Sequence, residues 1–269
     1  MMIQLIAFDL DGTLMDGDQR ISPRVRKALS STVGRGVKVT LATGRMFSAT
    51  VGYARDLGIE MPLICYQGGW IQGLNTDVLR RVTLPQDHAH AALALGQTEG
   101  WHRILYADGQ LYIDEPRYPL RFYEQLLGPN PEIRPDLEQV LEHHEADKVL
   151  FVADPDRIPD MGQLLNNRFG QEAEVVRSHA QFVEVVPKGV DKGSALAWLA
   201  EYVGVPREAT LAVGDQENDL SMIRWAGTGV AMGNATTGVK QAAAWTAPSV
   251  GEDGAAAILE QLILAEDSS

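Results

Sequence analysis

The sequence predicts an α/β fold: a parallel sheet covered by helices, interrupted by an inserted α+β block. Three observations predict it. Apolar strands alternate with amphipathic helices over about 3–66, and again over about 190–264. Between them the pattern changes to hairpin-like runs mixed with helices. The chain has 269 residues, 45% of them hydrophobic, which is enough for a sizeable core.

The first strand is the apolar run at 3–8, which ends in Asp9-Leu10-Asp11-Gly12-Thr13. A helix follows in "ISPRVRKALSSTVGRG". Ser22 is its N-cap and Pro23 its first residue. Val25, Ala28, Leu29 and Val33 have helical spacing, and Gly34 and Gly36 end it. "VKVTLAT" is a strand rich in β-branched residues, followed by a helix around 46–57 and a strand at 62–66. In the middle block, helices are expected at 87–98, 135–144 and 157–169. "RILYADGQLYID" reads as a hairpin turning at Ala107-Asp108-Gly109, and "KVLFVAD" and "EVVRSHAQFVEVVP" as further strands. The last part resumes the alternation. "DKGSALAWLAEYVGV" is a helix with Ala195, Leu196, Leu199 and Val203 on one face, and "ATLAVGD" is a strand. The helix "DLSMIRWAG", the strand "GVAM", the helix "TTGVKQAA" and a helix at 254–264 follow, and "AEDSS" is a polar, frayed end. The expected core is therefore 1–82 with 185–269, and the insert is 83–184. Hinges are expected near 82–86 and 184–189, at Pro85 and Pro187-Lys188-Gly189.

A net charge of −13 and a pI of about 4.9 argue against binding nucleic acid or an anionic membrane by bulk charge. An anionic small substrate would need local help from cations. Cys65 is the single cysteine, so an intramolecular disulfide is excluded, and its apolar neighbours predict a packed thiol. With no basic leader and no long apolar stretch, a cytoplasmic protein is expected.

Four polar pieces fall at the C-terminal ends of predicted core strands or just after them, where open α/β sheets bind ligands. They are Asp9-Leu10-Asp11, Thr43, Lys192, and Asp215 with Asn218 and Asp219. Each alone is a common turn or cap. Together, and in this order, they are the residue types that phosphoryl transfer needs. A carboxylate can attack phosphorus and form an acyl phosphate. Mg²⁺, held by one or two carboxylates such as Asp9 and Asp215, would remove the anion–anion repulsion. Thr43 and Lys192 can stabilise the phosphoryl oxygens, and Asp11 can act as the second acid. Asp219, four residues after Asp215, can face the same metal.

"DLDGTL", "TGR", "KG" before an amphipathic helix, and "GDQENDLSM" resemble the four signature motifs of the haloacid dehalogenase superfamily of phosphohydrolases. The long insertion, with "PKGVDKGSAL" and "GVAMGNA", is similar to the Cof-like branch with its subclass IIB cap. The resemblance covers both core segments, and the middle block only by position and length. It implies a Rossmann-like core, an α/β cap that selects substrate, and Mg²⁺-dependent hydrolysis of small phosphorylated metabolites such as sugar phosphates. Asp9 would be nucleophile and metal ligand. Asp11 would be general acid/base and give the metal its backbone carbonyl. Thr43, Gly44, Lys192 and Asn218 would bind phosphate or substrate, and Asp215 and Asp219 would serve the metal. One departure is visible: Gln67-Gly68-Gly69 stands where many relatives have Asn-Gly.

Two rival functions use the same residues or fold: a phosphomutase, and an idle binding protein. Arg45 can reach phosphate or pair with a carboxylate, and Lys188 can serve the hinge or the local potential. The histidines at 88–90 and 143–144 lack metal-ligand spacing and are expected on the surface, and the five tryptophans are expected in the core.

Overall fold

A computed structural model describes residues 2–129 and 131–265. Of the polar "AEDSS" end, 266–269 lie outside the described residues. The first part of the chain holds β1 (Leu5–Phe8), α1 (Pro23–Gly34), β2 (Lys38–Leu41), α2 (Phe47–Asp56), β3 (Leu63–Cys65), β4 (Trp70–Gln72) and β5 (Val78–Arg81). The middle holds α3 (Gln86–Thr98), β6 (His102–Ala107), β7 (Gln110–Ile113), α4 (Leu120–Leu126), β8 (Glu132–Ile133), β9 (Ala146–Val152), α5 (Ile158–Phe169), β10 (Ala173–His179) and β11 (Phe182–Pro187). The last part holds α6 (Lys192–Tyr202), β12 (Thr210–Gly214), α7 (Leu220–Trp225), β13 (Thr228–Ala231), α8 (Thr237–Ala242), β14 (Trp245–Thr246) and α9 (Gly254–Leu259). Among the described residues no helix is long and apolar enough to cross a membrane.

The chain forms two compact units. The first comprises the residues up to Thr43, Val51–Leu79, and those from Asp191 onward. Its main sheet has the order β14-β13-β12-β1-β2, with every pair parallel. Leu5, Ile6, Ala7 and Phe8 of β1 are all buried, as a strand covered on both faces requires. Ala195, Leu196 and Leu199 of α6 pack with Leu5, Ala7 and Ala212, so the predicted apolar face meets the sheet. Ser22 caps α1 as its spacing predicts, its hydroxyl accepting from Val25 N at 3.1 Å. Cys65 is buried, as expected.

The second unit comprises Arg80–Val190 together with the short stretch Gly44–Thr50. The linear pattern gives no sign of that stretch's placement. The sheet has the order β10-β11-β9-β6-β7-β8. Leu93 of α3 and Leu165 and Phe169 of α5 pack against Leu105, Phe151 and Val183 on one of its faces. The β6–β7 hairpin turns where expected, with Asp108 at φ 48 and Gly109 at φ 75, the doubly left-handed turn that suits strand twist.

Several expectations need correction. The helix at 135–144 is absent; only a single 3₁₀ turn, Val140–Glu142, forms there. The Asp136 carboxylate accepts from Glu138 N and Gln139 N in the manner of an N-cap, but the turn it starts does not extend beyond Glu142. The 254–264 helix is α-helical only to Leu259 and widens to a π turn over Glu260–Leu264. The histidines at 88–90 and 143–144 are at least partly exposed, as expected, and two of them face carboxylates. His88 Nε2 lies 3.0 Å from Glu172, and His144 Nδ1 lies 2.9 Å from Asp108. Trp101 is buried, while Trp70, Trp198, Trp225 and Trp245 are only partly so.

Candidate active site

The topology of the first unit decides what meets at its sheet edge. Phe8 of β1 lies opposite both Val213 of β12 and Leu41 of β2. All three strands are parallel, so the residues that follow them emerge at one edge: Asp9, Asp215 and Thr43. Asp9 N still donates to Val213 O at 2.9 Å, which fixes its position as the strand ends. The chain then turns sharply, with Gly12 N donating to Met15 O and Gly12 at φ 85. A Cβ at Gly12 would lie 2.5 Å from Asp215 Oδ2. Only glycine lets the two acidic loops come this close.

Lys192 reaches the same place from the start of α6. Its ammonium donates to Asp9 Oδ1 and to Asp219 Oδ1, each at 2.6 Å. A lysine in a first helical turn opposes the helix dipole. Two carboxylates and a capping box between Asp191 and Ser194 offset that cost. The second Asp219 oxygen accepts from Asp215 N at 2.8 Å and Gln216 N at 2.9 Å. Asp219 thus locks its own loop to Lys192.

One carboxylate oxygen from each of Asp9, Asp215 and Asp219 lies within 4.8 Å of the others, and all three residues are buried. Burial pushes the Asp9 carboxyl well above its ordinary range; Lys192 opposes this, and Asp219, Asp215 and Asp11 reinforce it. Burial, with help from Asp219, pushes Asp215 up to about 7. Burial would lower the Lys192 ammonium, but Asp219 and Asp9 outweigh it and hold the proton more tightly than usual. With all three acids ionised against one ammonium, negative charge would be in excess, and a hard cation with oxygen ligands fits such a site. Asp9 and Asp215 could hold such a cation here, with Asp219 behind them.

The remaining predicted residues are placed as follows. Asp11 is exposed and lies outside the converging trio, yet close enough to raise both Asp9 and Asp215. Thr43 is buried; its N–H donates to Ile64 O and its carbonyl accepts from Gln67 N. Gly44 falls in the second unit, where its carbonyl accepts from Lys148 Nζ at 2.9 Å. Asn218 Nδ2 donates to Gln67 Oε1 at 3.0 Å, while Asn218 Oδ1 is buried with no partner among the described residues. Arg45 is buried in the second unit, near Tyr106. Lys188 pairs with Glu174 at 3.2 Å and donates to Gly170 O at 3.0 Å, so its charge is spent locally.

Sequence reasoning missed three features. Tyr66 and Gln67 are consecutive non-glycine residues at φ 51 and φ 59, an unfavourable backbone that functional sites often retain. The substituted Gln67 therefore holds Asn218 from a left-handed position. Asn234 and Gln216 both bond Asp215 Oδ2. In the second unit, buried Lys148 donates to Glu184 at 2.6 Å and lies 4.5 Å from the centre of the Tyr106 ring. Ser178 donates to the same glutamate. In sequence Lys148 and Glu184 look like ordinary strand residues, and nothing links them.

The sequence model for haloacid dehalogenase-like hydrolases matches residues 6–259. A 5-amino-6-(5-phospho-D-ribitylamino)uracil phosphatase of Bacillus subtilis, YcsE, is 31% identical over 264 residues, covering 97% of this chain and 96% of its own. The crystal structure of a haloacid dehalogenase-like hydrolase from Bacteroides thetaiotaomicron superposes with a TM-score of 0.85 at 30% identity, covering 97% of this chain and all of the other (100%). The subclass IIB sugar phosphatase BT4131 shares the fold at a TM-score of 0.82 and 23% identity, with coverage of 96% and 98%. The chain therefore belongs to the haloacid dehalogenase-like hydrolase family, within its phosphatase branch.

Proposed function

We propose that this chain is a Mg²⁺-dependent phosphatase that hydrolyses small phosphorylated metabolites, sugar phosphates or sugar-like polyol phosphates, through an aspartyl-phosphate. The observation that carries this reading is the pairing of a buried Asp9 with Lys192 beside Asp215 and Asp219, one ammonium among three acids.

In this reading an Asp9 carboxylate oxygen attacks phosphorus. The bond from phosphorus to the ester oxygen breaks, and Asp11 gives its proton to the leaving alkoxide. Water then attacks phosphorus of the acyl phosphate. Asp11 takes the water's proton, and the cleaved bond returns Asp9 as carboxylate with inorganic phosphate. Lys192 and the Thr43 hydroxyl hold phosphoryl oxygens through both steps. When bound, Mg²⁺ supplies positive charge against the negative charge that develops. Asp219 keeps Lys192 and the Asp215 loop in place throughout. Asn218, held by Gln67, offers its buried carbonyl oxygen to a substrate hydroxyl. The second unit acts as the cap that selects the leaving group, with its hinges near 82–86 and 184–189. We place the activity in the cytoplasm, where phosphorylated metabolites and Mg²⁺ coexist.

The substrate reading draws support from two relatives, one named for a phosphoribityl substrate and one for sugar phosphates. Phosphate release is measured over a panel of sugar, polyol and nucleotide monophosphates, with Mg²⁺ and with chelator. Release from sugar or polyol phosphates that stops in chelator is expected. No release from any ester, or release unchanged by chelator, overturns the reading. Isomer formation without free phosphate points to a mutase.

A further inference from the structure

We infer that Asn234 is a positioning residue that, with Gln216, turns Asp215 so that one chosen oxygen faces the cation. The inference rests on the reading of Asp215 as a metal ligand.

Asn234 lies just beyond β13, which pairs in parallel with β12. Gly214 of β12 lies opposite Ala231, so the loops after both strands meet at the same edge as Asp9. The Asn234 amide is exposed at the surface, yet every part of it is used. Its Nδ2 donates to Gly12 O at 2.8 Å and to Asp215 Oδ2 at 3.2 Å. Its Oδ1 accepts from Val250 N at 2.9 Å. Gln216 Nε2 donates to the same Asp215 Oδ2 at 3.0 Å. The Asp215 backbone is pinned as well, since its carbonyl accepts from Thr236 N at 3.0 Å.

The two Asp215 oxygens therefore differ. Oδ2 has two amide donors, which fill its lone pairs. Among the described residues Oδ1 has only the Thr13 hydroxyl, at 3.5 Å, the outer limit of a hydrogen bond. Oδ1 is the oxygen left for a cation. Without the amides the carboxylate would be free to rotate, or to present both oxygens poorly. Outer partners of this kind orient ligands, and their loss typically lowers metal affinity about 10–100-fold. A simple loop tie would need only the bonds to Gly12 and Val250. The additional bond to Asp215 connects that tie to the site.

Calorimetric titration of the full chain with Mg²⁺, at a pH above 7, tests this. It is run on the wild type, Asn234→Ala and Gln216→Ala, beside melting curves of each in chelator. Both variants are expected to raise the Kd for Mg²⁺ about 10-fold or more, and the double variant to raise it further. Melting of Asn234→Ala in chelator should shift far less than that loss of affinity implies. An unchanged Kd in both variants overturns the inference, as does a lower melting point of Asn234→Ala with an unchanged Kd, which marks a loop tie alone. If Asn234→Ala does not fold, Gln216→Ala decides by the same Kd. A wild type that binds no Mg²⁺ removes the metal reading and this inference together, whereas a binding wild type with unchanged variants removes the inference only.

Discussion

The two units each bury a lysine, and the two lysines are held differently. Lys148 in the second unit donates to Glu184 and to the Gly44 carbonyl and lies over the Tyr106 ring. Ser178 donates to the other glutamate oxygen, and Arg45 lies near the same Tyr106 ring. Lys192 in the first unit faces Asp9 and Asp219, with Asp215 close behind. There the charges do not cancel. Removing one partner from a buried pair is costly, and a buried excess of one sign of charge is costly until something arrives to complete it. The site is thus the place where local electrostatics works against stability, as expected where activity and stability trade off.

The carboxylate partners break this comparison most sharply. Asp9→Asn should lower turnover roughly 10⁴-fold or more, because on the proposed mechanism it removes the nucleophile. It should also raise the melting temperature in chelator by roughly 2–4 °C for each kcal/mol of relieved crowding. Glu184→Gln should do the reverse to stability and lower the melting temperature. Steady-state kinetics and thermal melts check both. A melt that falls in Asp9→Asn contradicts the crowding.

The lysines come next. Lys192→Met and Lys148→Met each remove one partner of a buried pair, which costs about 3–5 kcal/mol. Only in Lys192→Met should Mg²⁺ restore much of the lost stability, because only there can a cation replace the charge. Denaturant melts with and without Mg²⁺ separate the two, and equal rescue would end the distinction.

A smaller effect follows from pH. Asp215 rises from an ordinary 3.8 to about 7, and Asp9 shifts in the same direction. A raised carboxylate contributes stability that is full below its unfolded value and lost as pH rises through its folded value. In chelator, stability should therefore fall between about pH 4 and 7. Stabilisation by Mg²⁺ should grow over the same window, as the metal replaces protons. Asp215→Asn should flatten both slopes, which melts at several pH values would reveal.

The smallest effect lies outside the contrast. Ser22→Ala removes the α1 cap and should cost about 1 kcal/mol with turnover unchanged. A change in kcat there would mean that distant stability feeds into the site.

Legibility in the sequence follows the same division. Asp9, Lys192 and Asp215 were readable because each stands at a strand end or helix start, with local punctuation around it. The convergence of Asp9 and Asp215 needs only the rule that parallel strands end together, whereas Lys192 follows no strand of that sheet and arrives from the start of α6. Lys148 and Glu184 lie 36 residues apart in alternating strands, and only the register of β9 with β11 brings them together. Asn234 and Gln67 stand in stretches the sequence marks, but their partners, Asp215 and Asn218, lie across loops and could not be read from it. The 135–144 helix failed because Leu137, Val140 and Leu141 suit a single buried turn as well as a helix.

Gly12 carries a consequence for inheritance. Every single-base missense change in a glycine codon adds a side chain, or at least a Cβ. That atom would sit 2.5 Å from an Asp215 oxygen, on a backbone at φ 85 that side chains resist. Gly17, five residues on, meets nothing within 4 Å. In a library of random variants, position 17 should drift freely, and position 12 should come back as glycine.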